Sequence, residues 1–225
     1  MRAFNSELQL VGALHRIVRR DGRRRWSVEL EVDAGVGIAD VVVADRNAKT
    51  TRALELLSAI NPRLAPLLHP EAARRIASIA DLAASLGVAP SAALRVASEL
   101  HSVGGLRMHG TRIVIPAVDV PPFRTIVAIE AKLSDWQRAL GQAYRNLQFA
   151  DESWVVLDHY FHRAAANNLD RFSQAGVGLA SISESSELFV HISARTEEPF
   201  SRIKRWQAHA ALARRVIERR ALVAG

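Results

Sequence analysis

The sequence predicts an α/β (α+β) fold, a central mixed sheet flanked by helices, interrupted by an inserted helical domain. Three observations predict it. Apolar spacing runs helix, strand, strand at the N-terminus and strand, helix, strand from residue 125 onward. Hydrophobic residues make up 49% and charged residues 24% of the 225 positions, enough for one medium domain with an insertion or for two small ones. Residues 47–117 differ in kind from their flanks, being Ala- and Leu-rich. The expected division is a discontinuous core, 1–46 and 118–225, around an inserted domain, 47–117.

Taken in order, Phe4, Leu8, Val11, Leu14 and Val18 recur at helical spacing, which predicts an amphipathic helix to about Arg19. Asp21-Gly22 ends it, and the basic run Arg23, Arg24, Arg25 follows. The alternation Trp26 to Val32 suits a half-buried strand. Ala34-Gly35 turns into Val36 to Val43, apolar on both faces as in a central strand except at Asp40.

Within the insertion, Ile79 to Val88 and a second helix to about Val103 flank a glycine-containing turn, with Ser91 as the expected N-cap. Leu106 to Ile115 reads as a hairpin with a glycine turn. The combination resembles a winged helix-turn-helix, residues 91–102 being the recognition helix and 106–115 the wing. Arg95, Arg107 and Arg112 are its available nucleic-acid contacts. The recognition helix is poor in base-reading side chains, so backbone positioning is the better-supported role.

After the insertion, residues 125–133 predict a strand and 134–149 a helix with Trp136, Leu140, Ala143, Tyr144 and Leu147 on one face. Residues 154–157 form another strand. A helix at 160–173, strands at 177–182 and 187–193, and a basic helix at 199–222 complete the chain. In that last helix Ile203, Trp206, Ala210, Ala213 and Ile217 form a docking stripe, and Arg202, Lys204, Arg205, Arg214, Arg215, Arg219 and Arg220 fill much of the rest, which favours phosphate contacts.

The formal net charge of +7, with a pI of about 10.8, favours a polyanionic partner. No apolar run approaches the roughly 20 residues of a spanning helix, and the N-terminus lacks a signal-peptide layout. There is no cysteine, so disulfides and thiolate metal sites are excluded. The expectation is a soluble cytoplasmic protein without a membrane partner.

Three charges stand inside apolar strands. Glu130 and Lys132, two apart, project from one face of Ile126 to Lys132, and Asp40 interrupts its own strand. An isolated buried charge costs several kcal/mol, so such residues are paired or metal-bound. On the residues alone, an ion pair of Lys132 with Asp40 or Glu130 and a hard-oxygen metal set account for them equally well. His159 and His162, with Asp158, have a spacing found in metal sites, but two histidines make an incomplete set, since ligands come in threes and fours.

Gly37-Ile38-Ala39-Asp40-Val41-Val42-Val43 followed by Ile129-Glu130-Ala131-Lys132-Leu133 resembles the signature of the PD-(D/E)XK nucleases, whose core is the restriction-endonuclease-like fold. The resemblance covers residues 1–46 and roughly 123–158. Ala39 stands where the motif has proline, and the long gap between Asp40 and Glu130 holds the insertion. The resemblance implies that Asp40, Glu130 and the Ala131 carbonyl ligate Mg²⁺ (or Mn²⁺) and that Lys132 holds or polarises the attacking water. It gives Glu7, on the first helix, a second metal or a metal-bound water. It gives Gln142 the positioning of Lys132 or of a DNA phosphate, although the family's usual glutamine-to-tyrosine spacing is not kept. Arg138, Gln142 and Arg145 share a helix stripe suited to a substrate backbone or to solvent. The implied function is hydrolysis of DNA phosphodiester bonds, with RNA left open and a homodimer compatible with two-strand cutting. The rival reading is a non-catalytic DNA-binding regulator that keeps the nuclease fold as a scaffold.

Overall fold

The structure, a computed structural model, describes residues 2–21 and 26–224; the Arg23 to Arg25 run lies outside them. In chain order the described elements are α1 (Glu7–Asp21), β1 (Trp26–Asp33), β2 (Ile38–Arg46), α2 (Thr51–Ala59), a 3-10 turn (Pro62–Leu68), α3 (Pro70–Arg75), α4 (Ile79–Leu86) and α5 (Pro90–Ser102). Then follow β3 (Arg107–His109), β4 (Arg112–Val114), β5 (Phe123–Lys132), α6 (Trp136–Asn146), β6 (Glu152–Asp158), α7 (Arg163–Ala166), α8 (Leu169–Ala175), β7 (Gly178–Ile182), β8 (Leu188–Ile192) and α9 (Arg202–Ala224). Packing divides the chain into two compact units, residues 1–47 with 123–208, and residues 48–122 with 209–225.

The first unit is a six-stranded mixed sheet in the order β1-β2-β5-β6-β7-β8, flanked by helices. β1, β2 and β5 pair antiparallel, β5, β6 and β7 run parallel, and β8 returns antiparallel. The parallel pair β5–β6 requires a crossover, which α6 supplies. One face carries Val41, Val43, Ile129, Ala131, Val156 and Ala180 against α1. The other carries Val155, Leu157 and Leu179 against Ala139 and Ala143 of α6 and Phe172 of α8. Strand side chains alternate, so Asp40, Glu130 and Lys132 all belong to the α6 face.

Helix α1 starts on two side-chain bonds: Ser6 Oγ accepts from the Gln9 amide at 3.3 Å, and Gln9 Oε1 accepts from the Asn5 amide at 3.1 Å. It buries Leu10, Ala13, Leu14 and Ile17. Leu8, expected on the apolar face, is 81% exposed. Two apolar stripes overlap in this segment, and the one spaced i, i+3, i+4, i+7 from Leu10 meets the sheet. Glu7 borders that stripe. In α6, Asp135 accepts from the Arg138 amide at 3.1 Å and caps the helix, while Tyr144, expected inside, is 51% exposed. The helix expected over 160–173 is two short ones, α7 and α8, broken at Asn167 and Asn168.

In the second unit α4 and α5 meet at 102°, the range of a helix-turn-helix. Gly87 makes the turn with φ of 64°, a left-handed conformation in which its amide reaches the Ala83 and Ala84 carbonyls. Ala89, not Ser91, is the N-cap of α5, because Pro90 takes the first helical position, where its missing N–H is harmless. The β3–β4 hairpin follows, turning at Gly110, and the Ile113 amide bonds the Ala77 carbonyl at 2.9 Å. Buried Leu82, Ala93, Ala97, Leu100, Leu106 and Ile113 come from both helices and the hairpin. Among the described residues no single helix is long and apolar enough to cross a membrane.

Several cations of α9 are structural. Arg205 pairs with Asp151 at 2.8 Å and donates to the Phe149 and Arg124 carbonyls, both at 3.0 Å. Lys204 reaches the Gly35 carbonyl at 2.8 Å, and Arg214 the Ile60 carbonyl at 3.1 Å. The phosphate-contacting role expected for the run is withdrawn for Arg205, whose side chain is ion-paired and 13% exposed. Ile203, placed on the docking stripe, is 58% exposed, whereas Leu212 and Val216 are fully buried.

Candidate functional site

Antiparallel pairing of β2 with β5 matches Val41 to Ile129 and Val42 to Ala128, so one further step puts Asp40 opposite Glu130. The local bonds tighten this arrangement. Asp40 Oδ2 accepts from the Ala131 amide at 2.8 Å and from Lys132 Nζ at 3.0 Å. Lys132 Nζ also donates to the Ala131 carbonyl at 3.1 Å and lies 3.5 Å from Glu7 Oε2. The N-terminal turn of α1 thereby reaches the end of β5. Asp40, Ala131, Lys132 and Glu7 converge on one spot, with Glu130 beside them in register. The Lys132 and Asp40 side chains are 13% and 25% exposed, so solvent reaches the rim of the site.

Glu130 is different, being only 1% exposed. Asn146 Nδ2 donates to its Oε1 at 2.7 Å. Its Oε2 is buried with no hydrogen-bond partner, and so is Oε1 of Gln142, one helical turn before Asn146 on the same face of α6. Burial pushes the Glu130 carboxyl up to about 7; the Asn146 bond opposes this, the Asp40 charge adds to it, and Lys132 and Arg145 pull it down. For Lys132, burial works against the charge. The hydrogen bond and charge of Asp40, with Glu7 and Glu130, outweigh burial and hold the ammonium above its ordinary value.

Two acids, one of them close to half-ionised at neutral pH and carrying a buried oxygen without a donor, form a set that a divalent cation would complete. Its donors are hard oxygens: Asp40, Glu130 and the Ala131 carbonyl. Glu7 has its side chain 51% exposed and ion-paired with Lys132, on the solvent side of the set. Arg138 and Arg145 are exposed on α6. Arg95, Arg107 and Arg112 are exposed on α5, β3 and β4 of the other unit. Asn146 is the site residue that sequence reasoning does not find. Its one signal is the i, i+4 spacing from Gln142, which puts it on the same face. Comparison with protein families, with curated proteins and with solved structures returns no match to this chain.

Proposed function

We propose that this protein is a metal-dependent nuclease of the PD-(D/E)XK type that hydrolyses DNA phosphodiester bonds. The observation that carries the proposal is the convergence of Asp40, the Ala131 backbone and Lys132 next to a buried Glu130 whose second oxygen has no donor. A purely structural ion pair would account for Asp40 and Lys132. It gives no reason to bury Glu130 at a pKa of about 7 with one oxygen unserved.

Asp40, Glu130 and the Ala131 carbonyl would hold Mg²⁺ (or Mn²⁺). When bound, the ion supplies Lewis-acid charge at the phosphate and makes a bound water acidic enough to attack. This chain's own residues do the rest. Lys132, whose ammonium Asp40 and Glu7 favour, would orient the attacking water and offset charge on the pentavalent phosphate. Glu7 braces that ammonium from the solvent side. Asn146 fixes one oxygen of Glu130 and so aims the other. Gln142, on the same helix face, would position Lys132 or a phosphate, and exposed Arg138 and Arg145 would offer backbone contacts along α6.

The second unit fits this reading as a winged-helix-like DNA-binding module. Its helix-turn-helix and hairpin carry Arg95, Arg107 and Arg112 on exposed surface, where they contact phosphates rather than read bases. The test incubates the purified chain with duplex, single-stranded and branched DNA and with RNA, in Mg²⁺ or in chelator, beside Asp40→Ala. The nuclease reading expects Mg²⁺-dependent cleavage of DNA that disappears in the variant. Salt-sensitive DNA binding with no cleavage in any arm would replace it with the non-catalytic regulator.

A further inference from the structure

His159 and His162 acquire a third histidine through the pairing of β7 with β8. Register across that pair matches Ala180 to Val190 and Leu179 to Ile192, so His191 is the extra residue of a bulge, a device that re-aims a side chain. One ring nitrogen from each of His159, His162 and His191 lies within 4.8 Å of the others. The rings are stacked, with centroids of His159 and His162 4.2 Å apart and those of His162 and His191 4.8 Å apart.

Each ring also has one nitrogen on a protein oxygen. His159 Nδ1 and His191 Nε2 both contact Ser181 Oγ at 2.8 Å, and His162 Nδ1 meets the His159 carbonyl. The turn that presents the first two histidines is itself fixed. Asp158, fully buried, accepts from the Tyr160 amide at 2.9 Å and the Phe4 amide at 2.7 Å, and the His159 amide bonds the Ile182 carbonyl at 2.9 Å. A metal-bound imidazole offers one nitrogen to the ion and is oriented by an oxygen at the other, and each ring here has one nitrogen on such an oxygen.

We propose that His159, His162 and His191 form a second metal site, selective for a zinc-class transition ion and separate from the carboxylate set. Imidazole nitrogen suits Zn²⁺ and its neighbours in the first row, whereas Mg²⁺ requires oxygen. Zn–N bonds of about 2.0–2.1 Å put tetrahedral ligand atoms roughly 3.4 Å apart, so closing the set takes about an ångström of approach together with rotation of the rings out of their stack. Three protein ligands leave one position open, and all three histidines are half-exposed, so that position is accessible from solvent. Sheet register aligns Lys132 with Leu157 and Leu157 with Ser181. The histidine site therefore stands about two strand spacings, roughly 10 Å, from Lys132, at the same end of the parallel strands. That end is where open α/β sheets bind ligands.

The test strips the untagged full chain with chelator and titrates it with Zn²⁺ in excess Mg²⁺ by calorimetry. One equivalent of Zn²⁺ is expected, weakened by about 100-fold or more in His191→Ala and by about 10-fold in Ser181→Ala, and unchanged in Asp40→Asn. Co²⁺ substitution gives a tetrahedral visible spectrum that the same His191→Ala change removes. His162→Gln, in the turn outside the sheet, gives the same reading should His191→Ala fail to fold by circular dichroism. Absence of saturable Zn²⁺, equal affinity in the histidine variants, or loss in Asp40→Asn would each overturn the site.

Discussion

Replacing Glu130 with glutamine keeps the shape and the acceptor for Asn146 but removes the charge. Burial raises the Glu130 carboxyl from an ordinary 4.5 to about 7, and each tenfold change in proton affinity is worth about 1.4 kcal/mol. Ionising it inside the fold therefore costs up to about 3 kcal/mol. The sign follows from proton binding. Between pH 4.5 and about 7 the folded chain holds this proton more tightly than the unfolded one, so wild-type stability falls as pH rises through that window. At pH 4 Glu130 is mostly neutral both folded and unfolded, and Glu130→Gln should match wild type. At pH 8.5 the variant should be more stable by about 2–3 kcal/mol, read as a higher urea midpoint with unchanged slope. Excess Mg²⁺ should stabilise wild type at pH 8.5 and leave the variant unmoved, because only the carboxylate gains from the ion. A stability difference independent of pH would overturn this reading, since it would mean that the carboxyl is not held at an elevated pKa by burial.

Four further outcomes follow from the same geometry. Asn146→Ala removes the one hydrogen bond to Glu130, so stability should fall by about 1–3 kcal/mol and the pH at which Mg²⁺ binding reaches half its maximum should move upward, as seen by calorimetry across pH. Arg205→Met leaves the half-buried Asp151 without its cation, and chemical denaturation should show a loss of about 1.5–3 kcal/mol. Gly178→Ala drives a methyl group into the Trp154 ring on the neighbouring strand, for a loss of about 1–3 kcal/mol with altered Trp fluorescence. Changing Arg95, Arg107 and Arg112 together to Gln should reduce the slope of log affinity for DNA against log salt by up to about 3, uniformly across DNA sequences and without loss of stability.

How far the site can be read from sequence depends on whether a residue's burial comes from its own strand. Asp40, Glu130 and Lys132 are legible because each breaks an apolar run, and strand alternation puts two of them on one face. Their bonds to one another need the β2–β5 register, which local pattern does not specify. Asn146 is hidden because an asparagine at a helix end is ordinary surface chemistry. Only the contact of α6 with β5 makes it the partner of a buried acid. Arg205 is legible as charge but not as a buried partner, since nothing nearby in sequence announces Asp151 or the two carbonyls it serves. His191 is the extreme case. Its approach to His159 and His162 depends on a bulge in the pairing of β7 with β8.

Whether Asp40, Glu130 and Lys132 make one metal-dependent phosphodiester-cleaving site can be read from a single comparison. Single-turnover cleavage of DNA in saturating Mg²⁺ is followed for wild type and for a folded Lys132→Ala variant. A fall of about 100- to 1000-fold in the cleavage rate is expected, the usual loss when one group stabilising transition-state charge is removed, with DNA affinity nearly unchanged. Equal rates for the two proteins would contradict the assignment.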